Sequence, residues 1–228
     1  MNGGPSLRVD YCSREAAKYA VEKWHYSRQM PTFKLVTFGV WEDDKFVGTV
    51  IFGGGATPNL LKPYGLGPFE GCELVRVSMT THKTPVSRVI AIALRMLRKA
   101  FPGLRIIVSF ADPTEGHSGG IYKAGGWIYT GTMGDARYYK INGRIWHPRS
   151  VVQKGCSNSL EAVQKFFSPT ATAVIKAGKH RYLMPLDDAM RDQCAALAQP
   201  YPAAVQSNAR AREALGTMHP DSIGGRTL

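Results

Sequence analysis

Between Glu73 and Phe110 the chain reads strand, helix, strand. Glu73 to Thr80 has the pattern of a strand, and Pro85 suits a first helical turn, where a missing N–H costs nothing. Val86, Val89, Ile90, Ala93, Leu94, Leu97 and Phe101 form one apolar stripe at helical spacing, with Arg88, Arg95, Arg98 and Lys99 off it. Pro102-Gly103 ends the helix, and residues 104–110 read as a buried strand. Two strands joined this way are expected to lie parallel in one sheet, linked by a right-handed crossover.

The rest of the chain supplies antiparallel strands around that unit. Leu7 to Tyr11 reads as a strand, and Ser13 caps a helix whose inner face is Ala17, Ala20, Val21 and Trp24. Residues 35–41 and 46–52 form a hairpin, 127–132 a strand, and 136–141 pairs with 144–147 across the turn Asn142-Gly143. Residues 159–177 are expected as two short helices broken at Pro169, and 181–186 as a closing strand on a sheet edge. The fold class is α+β, with a mixed, mostly antiparallel central sheet flanked by helices. Residues 1–186 are expected to form the main, catalytic domain, and 187–228 a C-terminal helix followed, from Pro200 onward, by a mobile tail.

The charge excludes some partners and favours others. The chain has 228 residues and a net charge of +12. Residues 187–228 carry four Arg and five acids, so the excess sits in the body. A compact basic body suits a polyanion, most simply nucleic acid; solubility charge is the plainer reading. No run of 18 apolar residues is present, so no membrane partner is expected. Cys12, Cys72, Cys156 and Cys194 form no CxxC pair and read as reduced thiols of a cytoplasmic protein.

The strand 104–110 delivers Ser109, Asp112, His117 and Tyr122 into a glycine-rich turn. Ligands in open α/β sheets sit at such strand ends. Asp112 either caps the turn or acts as a base. His25, which closes the first helix where the dipole favours a protonated imidazole, is a cap or a base. His117 lies in a loop with glycines on both sides. Tyr26 and Tyr122 either pack or hold a flat ligand, and Ser27 and Ser109 either cap turns or orient a ligand. Arg76, on a strand beside the core, needs a carboxylate or an anionic ligand as partner. His25, Asp112 and His117 together make a two-histidine, one-carboxylate candidate for Fe(II). Cations interleaved with rings, at Lys34, Arg137, Tyr139, Lys140, Arg144 and Arg149, suit phosphate contact with stacking, and hairpin 136–149 is the preferred DNA-facing element.

His25-Tyr26-Ser27, Glu73-Leu74-Val75-Arg76, Ser109 to Asp112, Gly116-His117 and Gly119 to Ala124, in this order, carry a resemblance. Over about residues 7–186 the chain resembles the Mom-type phage proteins, within the GNAT (Gcn5-related N-acetyltransferase) superfamily. The resemblance implies a GNAT-like fold and a transferase. It implies transfer of a carbamoylmethyl (glycinamide-like) group to the exocyclic amine of adenine in double-stranded DNA, which protects phage DNA from restriction. It implies an activated acyl donor, either acyl-CoA or glycyl-tRNA, and an association with Fe(II). Arg76, Ser27, Lys83 and Ser87 are the donor-binding residues under this reading. One departure stands out. The superfamily places a glycine-rich loop before its long helix to bind the coenzyme A pyrophosphate, and residues 80–87 contain no glycine. Two other classes stay open, an acyl-CoA-dependent N-acetyltransferase for a protein or small amine and a non-catalytic DNA-binding protein; a homodimer also stays open.

Overall fold

The computed structural model describes residues 4–55 and 57–203. Seven strands make the main sheet. In chain order they begin with β1 (Leu7–Tyr11), β2 (Leu35–Glu42), β3 (Lys45–Gly53), β4 (Gly71–Met79) and β5 (Ile106–Ala111). Later come β6 (Ile128–Thr132) and β10 (His180–Pro185), and the sheet order is β1-β2-β3-β4-β5-β10-β6. Every pairing is antiparallel except β4 with β5. That parallel pair is joined by helix α2 (Val86–Ala100), as its sequence pattern predicts. Val89, Ile90, Ala93, Leu94 and Leu97 are all buried on the sheet. Each Val, Ile or Leu among them stabilises the fold by roughly 1.5–3 kcal/mol.

Helix α1 (Arg14–Trp24) packs on the opposite face of the sheet, against Ile51 of β3. Ser13 Oγ accepts from Ala16 N at 3.2 Å and fixes its start. Ala17 and Ala20 are fully buried, and their small side chains let the helix approach β4. There Ser78 Oγ donates to the Ala20 carbonyl at 2.7 Å. The bond ties the last turns of α1 to β4, ahead of His25.

A second, three-stranded sheet stands apart. It orders β8 (Arg144–Trp146), β7 (Ala136–Ile141) and β9 (Thr172–Lys176), all antiparallel. Helices α4 (Pro148–Gln153) and α5 (Leu160–Phe166) cover one of its faces. Tyr139, Ile141, Val151, Cys156, Val163 and Ala171 form its own core.

Three expectations are corrected. Residues 172–176 are a strand, not a second helical piece: Ser159 caps only α5, and Thr172, Val174 and Ile175 are β-branched. Strand β10 is interior, between β5 and β6, not at the edge. Residues beyond α6 (Asp188–Ala195) do not leave the domain at Pro200. Gln199 N donates to the Tyr129 carbonyl at 2.9 Å, and Tyr201 stacks against Tyr129 and Tyr182. The remainder of the expected tail, 204–228, lies outside the described residues. Among the described residues no helix is long and apolar enough to cross a membrane.

Candidate active site

The site begins where β4 leaves β5. The two strands pair only from Gly71–Ile106 to Leu74–Ser109. Immediately after, β4 takes one extra residue against β3, since Phe52 faces Leu74 and Ile51 faces Arg76. Such a bulge bends a strand and re-aims the next side chain. Ser109 Oγ donates to the Leu74 carbonyl at this fork, at 2.8 Å, and accepts from Tyr122 Oη, also at 2.8 Å. Tyr122 is 6% exposed, stacked on Tyr182 at 4.7 Å and edge-on to Trp127 at 5.1 Å. Burial pushes its phenol up to about 12, so it stays a protonated donor. Its ring therefore packs rather than holding a flat ligand, which corrects that option; Ser109 and Tyr122 brace the fork from inside.

The wall around the fork is drawn from four segments. Helix α1 ends at His25, which is 8% exposed. Ser27 N donates to His25 Nδ1 at 3.1 Å, and Ser27 Oγ lies 2.8 Å from the same atom. With Nδ1 accepting, the imidazole proton is on Nε2. Burial, then the charges of Arg76, His117 and Lys179, lowers its pKa to about 3. The expected dipole effect is outweighed, and His25 is a neutral donor rather than an imidazolium.

Tyr26 turns outward, 40% exposed, and its ring is 5.4 Å from that of His117. The first helix and the loop after β5 thus meet here, although 91 residues of sequence position separate the two side chains. Arg76 faces the same region and is in electrostatic contact with Tyr26 and Glu73. Its Nη1 donates to the Val75 carbonyl at 2.7 Å, while its Nε is buried with no hydrogen-bond partner among the described residues. A buried donor left this way calls for a partner.

Asp112 caps a single 3-10 turn, Pro113–Glu115. Its Oδ1 accepts from Thr114 N at 3.1 Å and Thr114 Oγ1 at 2.6 Å, and Oδ2 is 3.4 Å from Lys179 Nζ. Burial would raise its pKa; the Thr114 and Lys179 contacts overcome that and hold it below the usual carboxylate range. Both readings of Asp112 therefore meet in one residue, a turn cap that presents a carboxylate. Gly119 shapes the far end of the loop. It has φ +79°, and a Cβ there would lie 2.2 Å from Tyr182 Oη, which donates to the Ser118 carbonyl at 2.7 Å.

The expected metal triad is corrected. Among the described residues no group of three or more His, Cys, Asp and Glu side chains is arranged to hold a metal ion. His25 spends Nδ1 on Ser27, and Asp112 spends its oxygens on Thr114 and Lys179. Fe(II) does not fit these residues.

Two further residues escape sequence reasoning. Glu42, at the end of β2, is 7% exposed. Its carboxylate accepts from Lys83 N at 2.9 and 3.2 Å and from Thr84 N at 2.6 Å. Burial opposes ionisation, but the hydrogen bonds from Thr84 and Lys83 win and lower its pKa. The loop expected to hold a donor through Lys83 and Ser87 already carries an anion on its backbone amides. Ser87 sits half-buried in the first turn of α2. The Lys83 and Thr84 amides are therefore already occupied by a carboxylate. No local pattern marks Glu42, since its partners are 41 and 42 residues away.

The other is Tyr138. Burial and the charge of Asp112 raise its pKa, and Tyr138 in turn acts on Tyr26, so it adjoins the wall. Its neighbour Tyr139, the residue expected to face DNA, is fully buried, and its phenol donates to Asn158 Oδ1 at 2.9 Å. A strand alternates faces, so Arg137 and Arg144 lie on Tyr139's side of the small sheet, and Lys140 lies on the other. Arg149 is exposed in α4, and Lys34 is exposed ahead of β2.

A cavity of about 480 Å³ at the opposite end of the sheet is lined by Arg95, Arg98, Lys99, Arg105 and Asp187. Arg105 Nε pairs there with Asp187 Oδ2 at 2.8 Å and anchors α6. It has no part in the wall just described.

The fold is thus a mixed, mostly antiparallel sheet flanked by helices, forked at the β4–β5 pair, with polar side chains from separate segments converging on the fork. The chain belongs to the Mom protein family, whose model matches residues 6–203. It is similar to the methylcarbamoylase mom of Escherichia phage Mu, 26% identical over 149 residues, which are 64% of this chain. The chain spans about three fifths of that relative's length, 61%. Among solved structures it is similar to a spermidine N-acetyltransferase from Vibrio cholerae (TM-score 0.47, 11% identity, covering 78% of this chain and 93% of that one). Another is an N-acyl amino acid synthase from uncultured soil microbes (TM-score 0.46, 13% identity, covering 83% and 95%).

Proposed function

We propose that this protein is a transferase that places a carbamoylmethyl group on the exocyclic amine of adenine in double-stranded DNA and so protects phage DNA from restriction. Membership of the Mom family and the name of the phage Mu relative support the reading. The observation that carries it at residue level is the meeting of Tyr26 and His117 beside Arg76 and Asp112, at the fork.

Adenine's amine is a poor nucleophile because its lone pair is delocalised into the ring. Attack requires proton removal as the bond forms. His117, open to solvent beside Tyr26, takes that proton, and Asp112 stabilises the resulting imidazolium. The Nε2–H of neutral His25 and the unpaired Nε–H of Arg76 donate to the acyl oxygen as charge builds on it. Tyr26 offers the flat surface against which an extruded base rests.

The donor is an activated acyl group. Occupation of the Lys83 and Thr84 amides by Glu42 favours one that is not anchored through a pyrophosphate there, such as a glycyl ester on tRNA. The adenine amine attacks the glycyl carbonyl and the alcohol leaves. The free glycyl amine then attacks the ring carbon, the original carbon–nitrogen bond breaks, and the original nitrogen ends as the terminal amide. Expression in a bacterium, digestion of its DNA and mass spectrometry of the nucleosides test the reading. A heavier adenosine is expected from wild type, and at least about a hundredfold less from Asp112→Ala. Unaltered DNA from well-folded wild type supplied with donor would refute it. With ¹⁵N on the adenine amine, label in the terminal amide supports the rearrangement, and label kept on the ring carbon excludes it.

A further inference from the structure

We propose that the uncovered face of the small sheet, carrying Tyr138, Lys140, His147 and Lys176, is a docking surface for the phosphodiester backbone of the duplex beside the active site. The proposal rests on the DNA-modification reading and assigns its partner surface.

The face is fixed by pairing and pleat. Tyr138 is opposite Val174, Lys140 is opposite both Ile145 and Thr172, and Ala136 is opposite Lys176. Partners across a ladder share a face, and neighbours along a strand do not. Tyr139 and Ile141 point into the core under α4 and α5, so Tyr138, Lys140 and Lys176 point away from it. The Tyr138 ring is edge-on to His147 at 5.1 Å, and Lys176 Nζ lies over it at 5.1 Å. His147 Nδ1 accepts from Arg149 N at 3.0 Å, which leaves Nε2–H as a donor.

Charge decides the partner. Residues 136–179 hold eight lysines and arginines against one acid, Glu161, a net of +7 out of the chain's +12. On the face itself Lys140 and Lys176 stand with no acid among the ladder residues that share it, and Ile145, 45% exposed, lies beside Lys140. Lysines around a ring match a sugar–phosphate chain with bases alongside.

The face is also held in place next to the chemistry. Both strands leaving the main sheet for the small one are pinned together. Met133 N donates to the Lys179 carbonyl at 2.8 Å, and Gly178 N to Asp135 Oδ1 at 3.1 Å. Gly178 lies so close to Met133 that a Cβ would stand 1.6 Å from its carbonyl oxygen. One residue on, Lys179 pairs with Asp112 of the active-site wall.

The test compares the two faces of one sheet. Lys140→Ala/Lys176→Ala and Arg137→Ala/Arg144→Ala each remove two cations from the same three-stranded sheet, and thermal melting checks that both fold. Duplex affinity is read by fluorescence anisotropy across a salt series, with modified nucleosides measured in parallel. The lysine pair is expected to weaken binding about tenfold or more and to flatten the log–log salt slope by about two, one for each lost phosphate contact. The arginine pair is expected to stay within about twofold. Equal losses from both pairs, or a larger loss from the arginines, overturns the assignment. So does a change in sedimentation without a change in DNA affinity, which would make the face a contact between two copies of the chain. Should wild type bind duplex in this pattern and modify nothing, the function fails and the surface stands. Should the lysine pair bind and modify like wild type, the surface fails and the function stands.

Discussion

The loop that follows β4 and the loop that follows β5 leave the same end of the sheet, from parallel strands, and are finished differently. In residues 80–85 the backbone amides of Lys83 and Thr84 are bound by the chain's own Glu42. In residues 112–119 the backbone is closed internally, by Asp112 on Thr114 and by Tyr182 on Ser118, while His117 stays exposed next to Tyr26. The first loop is an anion site already filled from within. The second is a scaffold that spends its main chain on rigidity and leaves side chains for a ligand. Glycine serves the second loop as space for Tyr182, whereas the first loop, without glycine, has two of its amides held by Glu42.

Breaking the second loop is expected to have the largest effect. Gly119→Ala puts a methyl group into the Tyr182 phenol at a left-handed backbone position. It is expected to cost about 3 kcal/mol or more, seen as a lowered urea midpoint, with loss of product formation. A change below about 0.5 kcal/mol would show the loop to be pliant.

Emptying the first loop comes next. Glu42→Ala strands the buried Thr84 amide, at about 1–3 kcal/mol before water enters, and frees the part-buried Lys83 amide. It is also expected to create binding for inorganic pyrophosphate, measured by calorimetry, where wild type shows none. Pyrophosphate binding to wild type as tight as to the variant would remove the contrast between the loops.

The smallest effect is a pH slope. His25 has a folded pKa of about 3 against an ordinary 6.5. Below pH 6.5 the unfolded chain takes up a proton that the folded chain refuses, so stability falls as pH drops toward 3; above 6.5 this residue contributes no slope. The slope is at most about 1.4 kcal/mol per pH unit. Urea denaturation from pH 4 to 7 is expected to show a shallower slope for His25→Asn than for wild type. Parallel slopes would mean that His25 is protonated in the fold.

Much of this was legible before any coordinates. The β4–α2–β5 unit follows from an apolar stripe interrupted by cations and closed by Pro102-Gly103, all local signals. The meeting of His25-Tyr26-Ser27 with Asp112 and His117 was legible only as a resemblance. What stayed hidden is non-local or a matter of parity. Glu42 pairs with amides across a long sequence gap. Strand β10 looks like any edge strand until its two neighbours are known. Tyr138 and Tyr139 are indistinguishable in sequence, and only the packing of α4 and α5 decides which of them is core. At His25 helix dipole and burial oppose each other, and burial cannot be read from a helix end alone.

The segment after α6 carries a last consequence. Strand β6 is the outermost strand of the main sheet, and its free side is covered not by another strand but by irregular chain, through Gln199 on the Tyr129 carbonyl. Gly131, with φ +92°, gives the Gln199 side chain room to lie against it. An uncovered strand is a template on which a second molecule can add its own strand. These few residues therefore act as a selvedge. They close the β6 edge against strand addition and leave β1, at the other end of the sheet, as the edge whose backbone is open to a neighbour.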